Sequence, residues 1–164
     1  MIIQTKNLLH ENAPKTSLMN LEVAGTTVFR MRNNNAFAAS WGIQIGEAGE
    51  EQTEVLILGT AAITAGTLGT TTATSRFEHP ADTPIYGIKY NQVVFQRSTT
   101  GTAGTATSMT DGTVTYQADS LYTLFDDTTG SVSYAYRTLF RSSGLSAETT
   151  QSDWWPPAGL SFYS

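Results

Sequence analysis

The chain contains no cysteine and few charged residues. Without cysteine it can form neither a disulfide nor a thiolate metal site. Only two histidines are present, so no structural zinc or other metal is expected. Charged residues make up 14% of the 164 residues, against roughly 25% in ordinary globular domains. A surface rich in Thr, Ser, Gly and Ala favours sheet faces and contacts between subunits.

Basic clusters and long apolar runs are also missing. The net charge is -5 and the few Lys and Arg residues are scattered, which argues against nucleic acid as a partner because phosphate binding needs a basic face. No run approaches the ~20 apolar residues of a membrane span. No signal peptide is visible at the start. We therefore expect no membrane partner.

Motifs that carry catalysis are not found. The sequence has neither a glycine-rich phosphate loop nor a dinucleotide fingerprint. The best carboxylate pair, Asp126-Asp127, lies in DDTTG and is interpreted as turn chemistry. His79 and Asp82 lie in the proline-bracketed corner FEHPADTP, where no nucleophile accompanies them. The sequence therefore predicts a protein that is not an enzyme and that uses no cofactor.

The first half of the chain shows short β patterns. Pro14 forbids a continuous helix through residues 1–20, which leaves an extended arm, an edge strand or a disordered tail open. Farther along, Val28 and Arg30 alternate with Phe29 and Met31, as in a half-buried strand. Strands are also predicted at 41–46 and 55–58. The acidic segment 47–54 between them lacks the spacing of a calcium loop and predicts a solvated hairpin loop.

The second half predicts further strands. Tyr134, Tyr136, Thr138 and Phe140 alternate with Ala135, Arg137, Leu139 and Arg141. We expect a three-strand run at 121–125, 133–141 and 149–155 inside a β-sandwich. The Gly/Thr/Ala-rich residues 98–113 predict a long exposed loop before a short strand at 114–117.

Residues from about 84 to 159 resemble a fibronectin type III domain. The resemblance rests on VVFQRSTTG, YTLFDDTTG and SYAYRTLFRSSGLSAETTQSDW. It implies an immunoglobulin-like sandwich in which Tyr134 packs and hydrogen-bonds at a corner, while Tyr136, Thr138 and Phe140 follow inward. Such sandwiches host many roles, so the resemblance implies no activity.

A second resemblance covers the first half. VAGTTVFRMRNNNAFAASWGIQIGEAGEEQTEVLILG, a Thr/Gly stretch and FEHPADTPIY are similar to a small β-module of tailed-bacteriophage virion proteins. We therefore expect an all-β protein of two small β modules. Its predicted parts are an N-terminal arm (1–20), a β module (21–83) and a fibronectin type III-like sandwich with a C-terminal tail (84–164).

The aromatic residues near the end are the candidate partner-binding site. Trp154 and Trp155 precede two prolines and cannot both face one core from an extended strand. Exposed aromatic residues commonly bury against neighbouring subunits. The predicted interface residues are Trp154, Trp155, Phe162 and Tyr163.

The virion resemblance and this tail together imply a structural function. We expect a head decoration or cement protein of a virion, made in the host cytoplasm, that binds major capsid or neck proteins in repeated copies or as a homo-oligomer. A head-to-tail connector or tail accessory protein is the alternative within that class. A carbohydrate-binding module with Trp41, Trp154 and Trp155 as a stacking platform is the alternative from another class.

Overall fold

A computed structural model describes residues 1–7, 13–59, 68–101 and 105–155. For Leu68, Ser108, Thr110 and Asp111 only the backbone is described. Within these ranges the chain forms strands and no helix, which confirms the all-β prediction. The strands are β1 (Ile2–Lys6), β2 (Lys15–Ser17), β3 (Val28–Arg30), β4 (Gly42–Ile45), β5 (Glu54–Ile57), β6 (Leu68–Thr70), β7 (Pro84–Ile88), β8 (Gln92–Ser98), β9 (Thr107–Thr115), β10 (Tyr122–Asp126) and β11 (Ala135–Arg141).

The largest sheet has the antiparallel order β2-β7-β4-β5. Strands β4 and β5 form a hairpin whose loop holds the exposed Glu47, Glu50 and Glu51, as the acidic segment predicted. Gly46 opens this loop with a φ of 104°. A Cβ atom there would come within 2.5 Å of the Thr53 hydroxyl, so glycine is required at this turn.

A hairpin of residues 18–31 packs beside this sheet. Its two arms are joined by the Leu18–Met31 bridge and by the Met19 N–H, which donates to the Arg30 carbonyl. Leu18, Phe29 and Met31 are fully buried and share one apolar core with Ile43, Ile45 and Ile85. The predicted alternation of Phe29 and Met31 against Val28 and Arg30 is therefore confirmed.

A second core lies between the sheet β11-β8-β9 and the pair β1-β10. Tyr136, Phe95 and Ile3 are its largest fully buried side chains. Phe95 stacks on Phe125 with ring centroids 5.6 Å apart. This arrangement is sandwich-like: β10 pairs with β1 and β11 pairs with β8, so the consecutive strands β10 and β11 lie in different sheets.

The first twenty residues contain two strands. β1 pairs antiparallel with β10, and β2 is an edge strand paired with β7. Residues 8–12 lie outside the described part of the chain. The division at residues 20 and 83 stays a prediction.

Two strand predictions were wrong in part. Residues 107–113 belong to β9 and not to an exposed loop, because their backbone pairs with β8 around an irregularity between Val94 and Gln96. Pairing with a neighbour thus outweighs the weak strand preference of Gly, Ser and Asp. Residues 149–155 form no regular strand, whereas β10 and β11 lie within two residues of their predicted positions.

Candidate functional site

Residues 147–155 cover the outer edge of β11. The N–H groups of Thr149, Ser152 and Trp155 donate to carbonyls of β11, and the Tyr136 N–H donates to the Trp155 carbonyl at 3.1 Å. Between these bonds, the hydroxyls of Ser152 and Thr149 accept the N–H groups of Thr138 and Phe140, both at 3.0 Å. Side-chain oxygens replace backbone carbonyls here, so the edge is satisfied without a regular strand.

The predicted interface residues Trp154 and Trp155 lie at the end of this segment, and both are half-buried. The Arg137 guanidinium lies 4.4 Å from the centre of the Trp154 ring, so part of that ring is already in contact within the chain. Phe162 and Tyr163 lie outside the described residues.

Asp127 is the centre of a buried polar cluster at the corner after β10. Its side chain is 5% exposed, and both of its oxygens accept the Arg97 guanidinium at 2.8 Å. The Tyr136 hydroxyl donates to the same carboxylate at 3.0 Å. Thr129 adds its N–H and its hydroxyl, at 3.1 Å and 3.0 Å. DDTTG is therefore a turn, as predicted, in which Asp126 is exposed and Asp127 points inward.

The tyrosine whose hydroxyl reaches this corner is Tyr136. Tyr134, which the fibronectin resemblance assigns to the corner, is half-buried and lies 5.5 Å below the Arg97 guanidinium. The sequence did not reveal Arg97, because it is 30 residues from Asp127 and no local spacing connects them.

The electrostatics of the cluster follow from these contacts. Burial raises the pKa of the Asp127 carboxyl, but hydrogen bonds from Arg97, Tyr136 and Thr129 outweigh it and hold that pKa below its usual value. Burial, followed by the hydrogen bond to the Asp127 carboxylate, raises the pKa of Tyr136 well above the ordinary tyrosine range. At neutral pH the Asp127 carboxyl is therefore ionised and the Tyr136 hydroxyl is neutral. The cluster has a structural role, since it joins the corner after β10 to β8 and β11.

A second buried pair joins β5 to the proline corner. His79 Nε2 lies 2.8 Å from Glu54 Oε1, and the two side chains are 4% and 5% exposed. Glu54 also accepts the Arg76 N–H at 2.9 Å. Burial raises the pKa of Glu54, but the hydrogen bond from His79, followed by backbone N–H groups, lowers it overall.

His79 and Asp82, which lie in the same corner of the chain, do not form a catalytic dyad. Asp82 is exposed and accepts hydrogen bonds from Arg32, while His79 turns inward to Glu54. His79 also pairs its backbone with Glu22. The interpretation of this corner as structural therefore agrees with the geometry.

The described ranges contain neither a cluster of metal ligands nor a membrane-spanning helix. Among the described residues, no three His, Asp or Glu side chains converge in a way that could hold a metal ion. The described part of the chain also contains no helix that could span a membrane.

An apolar surface on the 18–31 hairpin is the clearest candidate for binding. Met19, Leu21, Val23 and Val28 are 40%, 53%, 57% and 41% exposed. Met19 and Val28 are direct sequence neighbours of the fully buried Leu18 and Phe29, yet their own side chains are exposed. We call these four residues the outer apolar face.

Sequence reasoning missed the outer apolar face. Met19 lies in residues 1–20, for which an arm, an edge strand or a disordered tail stayed open, and Leu21 and Val23 were not singled out. A two-residue period also cannot tell which of two apolar faces turns to the core.

The comparisons with known proteins add no relative. No family model matches the chain, and neither the curated proteins nor the solved structures gave a significant match.

Proposed function

We propose that the chain is a structural protein of a virion, without enzymatic activity, that binds neighbouring protein subunits through the outer apolar face. Head decoration or cement is the function we favour, and a head-to-tail connector or tail accessory protein is the alternative. The outer apolar face carries this proposal because four large apolar side chains are exposed within residues 19–28, and exposed apolar patches mark interaction sites.

The composition supports the same function. Charged residues make up 14% of the chain. Few long charged side chains therefore lie between its surface and a partner. Burying apolar area against a partner contributes about 25 cal/mol per Å². A symmetric shell repeats that contribution at every copy.

The tryptophans fit a secondary contact. Trp154 and Trp155 are half-buried beside β11, so each keeps some surface for a partner. A carbohydrate platform needs an open ring face, whereas Arg137 lies against Trp154. The carbohydrate-binding alternative therefore draws less support from the geometry than subunit binding does.

The proposal can be tested by cosedimentation with heads assembled without this protein. The variant is Leu21→Ser with Val23→Ser, which makes the outer apolar face polar without entering the core. The matched control is Val132→Ser, because Val132 is 77% exposed and lies outside the outer apolar face. Circular dichroism and an unfolding curve check that both variants fold.

The wild type and the Val132 control should bind the heads saturably, and the double variant should lose most of that binding. Equal binding by all three proteins would remove the outer apolar face from the proposal. Absence of binding by the wild type, together with saturable binding to a glycan array that Trp154→Ala abolishes, would favour the carbohydrate-binding module instead.

A further inference from the structure

A groove of about 770 Å³ lies between the outer edge of β5 and the end of β9. One wall is formed by residues 53–56 and the other by residues 114–120. Arg76 and Phe77 line it as well. Its volume falls within the roughly 300–1,000 Å³ of small-molecule and cofactor pockets.

The backbone of β5 has free hydrogen-bonding groups on this side. The Leu58 N–H donates to the Trp41 carbonyl, so the backbone groups of Leu58 point to β4. Because this direction alternates along a strand, the backbone groups of Leu56 also point to β4, whereas those of Val55 and Ile57 point outward. The Ile57 carbonyl already accepts the Thr72 N–H at 2.8 Å on that side. No described residue bonds the N–H or the carbonyl of Val55.

Strand β9 also has backbone groups without a partner at the groove. The Tyr116 N–H donates to the Asn91 carbonyl at 3.0 Å, continuing the β8–β9 register in which Gln92 faces Thr115. Thr115 therefore turns its N–H and carbonyl away from β8. Within the described ranges these two groups also have no partner. Val55 and Thr115 both line the groove, so one residue with unpaired backbone groups lies on each of its two walls.

The charges at one end of the groove are acidic. Thr53 also lines a second depression of about 200 Å³, whose lining contains Glu47, Glu50, Glu51 and Glu78 and neither lysine nor arginine. The Gly49 N–H donates to the Ala118 carbonyl, which holds this acidic loop against the groove wall. The basic side chain in the groove, Arg76, has its guanidinium over the Phe77 ring at 5.0 Å.

We propose that this groove binds an extended, basic segment of a partner protein by β-strand addition. The segment pairs with Val55 and with Thr115, satisfying edges that natural proteins otherwise cover or protect. Its apolar side chains meet Phe77 and Val114, and its Lys or Arg side chains face the glutamates around Thr53. Charge complementarity selects the basic partner, and the backbone bonds fix its extended form. The proposal does not depend on the outer apolar face.

Binding is tested with a fluorescein-labelled Lys-Val-Lys-Val-Lys-Val peptide and fluorescence polarisation at low ionic strength. The controls are the corresponding Glu-Val peptide and a Lys-Val peptide in which alternate backbone amides are N-methylated. We expect the Glu-Val peptide to bind at least about tenfold more weakly, because like charges oppose it. N-methylation should cause a comparable loss, because it removes the donors of the added strand.

Amide hydrogen exchange locates the contact. The N–H groups of Val55 and Thr115 should exchange fast in the free protein and slow at least about tenfold in the saturated complex, because each gains a hydrogen bond. The Leu56 N–H, which already faces β4, serves as the internal reference and should change little.

A charge variant completes the design. Glu50→Gln with Glu51→Gln should weaken the Lys-Val peptide several-fold, whereas Asp153→Asn should not, because exposed Asp153 is not among the groove residues. Two outcomes would overturn the proposal: no binding of the basic peptide, or binding that N-methylation leaves intact without protection at Val55 and Thr115. The second outcome would indicate attraction between charges only.

Discussion

Different partners stabilise the two buried carboxylates, Glu54 in the first half of the chain and Asp127 in the second. Glu54 is held by His79 and by backbone N–H groups. Asp127 is held by the permanently charged Arg97, by Tyr136 and by Thr129. The Asp127 cluster also connects β8, β11 and the turn after β10, while the Glu54 pair connects β5 to one corner. We therefore expect the second half to depend more on its buried charge than the first.

The largest effect is expected from Arg97→Met. It leaves the Asp127 carboxylate buried without its cation, which should lower the free energy of unfolding by about 3–5 kcal/mol. Urea unfolding measures the change. The matched control is Arg141→Met, which breaks a pair with Glu148 whose side chains are 37% and 43% exposed and should cost at most about 1 kcal/mol. Equal losses in the two variants would contradict the comparison.

A smaller loss is expected from Glu54→Gln. A neutral amide keeps the shape but places an NH₂ group or a weaker acceptor against His79 and the Arg76 N–H, which should cost about 1–3 kcal/mol. Glu51→Gln is the control because Glu51 is exposed on the loop of the same hairpin. The unfolding midpoint should move for Glu54→Gln alone. A loss larger than that of Arg97→Met would reverse the ranking of the two halves.

Acid should destabilise both halves. The folded-state pKa values of Glu54 and Asp127 lie below their usual values near 4.5 and 3.8. Each carboxylate therefore gives its full stabilisation above its usual pKa, and this stabilisation is lost as the pH falls through the folded-state pKa. Each carboxylate contributes at most about 1.4 kcal/mol per pH unit. Urea midpoints from pH 6 to pH 2 should decline, and Asp127→Asn should make the decline shallower. An unchanged slope in that variant would contradict the lowered pKa of Asp127.

The smallest effect is expected from Tyr136→Phe. It removes one hydrogen bond to Asp127 but leaves Arg97 and Thr129 in place, so the loss should be about 0.5–1.5 kcal/mol. Tyr122→Phe is the matched control because Tyr122 is 41% exposed. Thermal and urea unfolding measure both variants. A loss equal to that of Arg97→Met would mean that the tyrosine, and not the cation, holds the corner.

The fold could be predicted from the sequence where the signal is local. The alternation of Val28 and Arg30 against Phe29 and Met31 correctly predicted a half-buried strand, and DDTTG correctly predicted a turn. The pairing of β1 with β10 and the buried contacts Glu54–His79 and Arg97–Asp127 could not be predicted, because their members are far apart in sequence and only the folded chain brings them together. Residues 107–113 of β9 were missed because they have weak strand preference and depend on β8 for pairing.

The candidate sites follow the same division. Trp154 and Trp155 were noticed as aromatic residues near a chain end, which is a local signal. The outer apolar face and the groove between Val55 and Thr115 depend on which side of a strand faces a neighbour. A strand pattern shows that two faces or two edges exist, but it does not show which of them remains open.

The pairing of β1 with β10 also sets an order of events in time. Residues 2–6 leave the ribosome long before their strand partner at 122–126. Until then Ile3, which ends at 1% exposure, has no completed core to enter. Contacts of such long sequence separation slow folding, so closure of the second core should be the late and rate-limiting step.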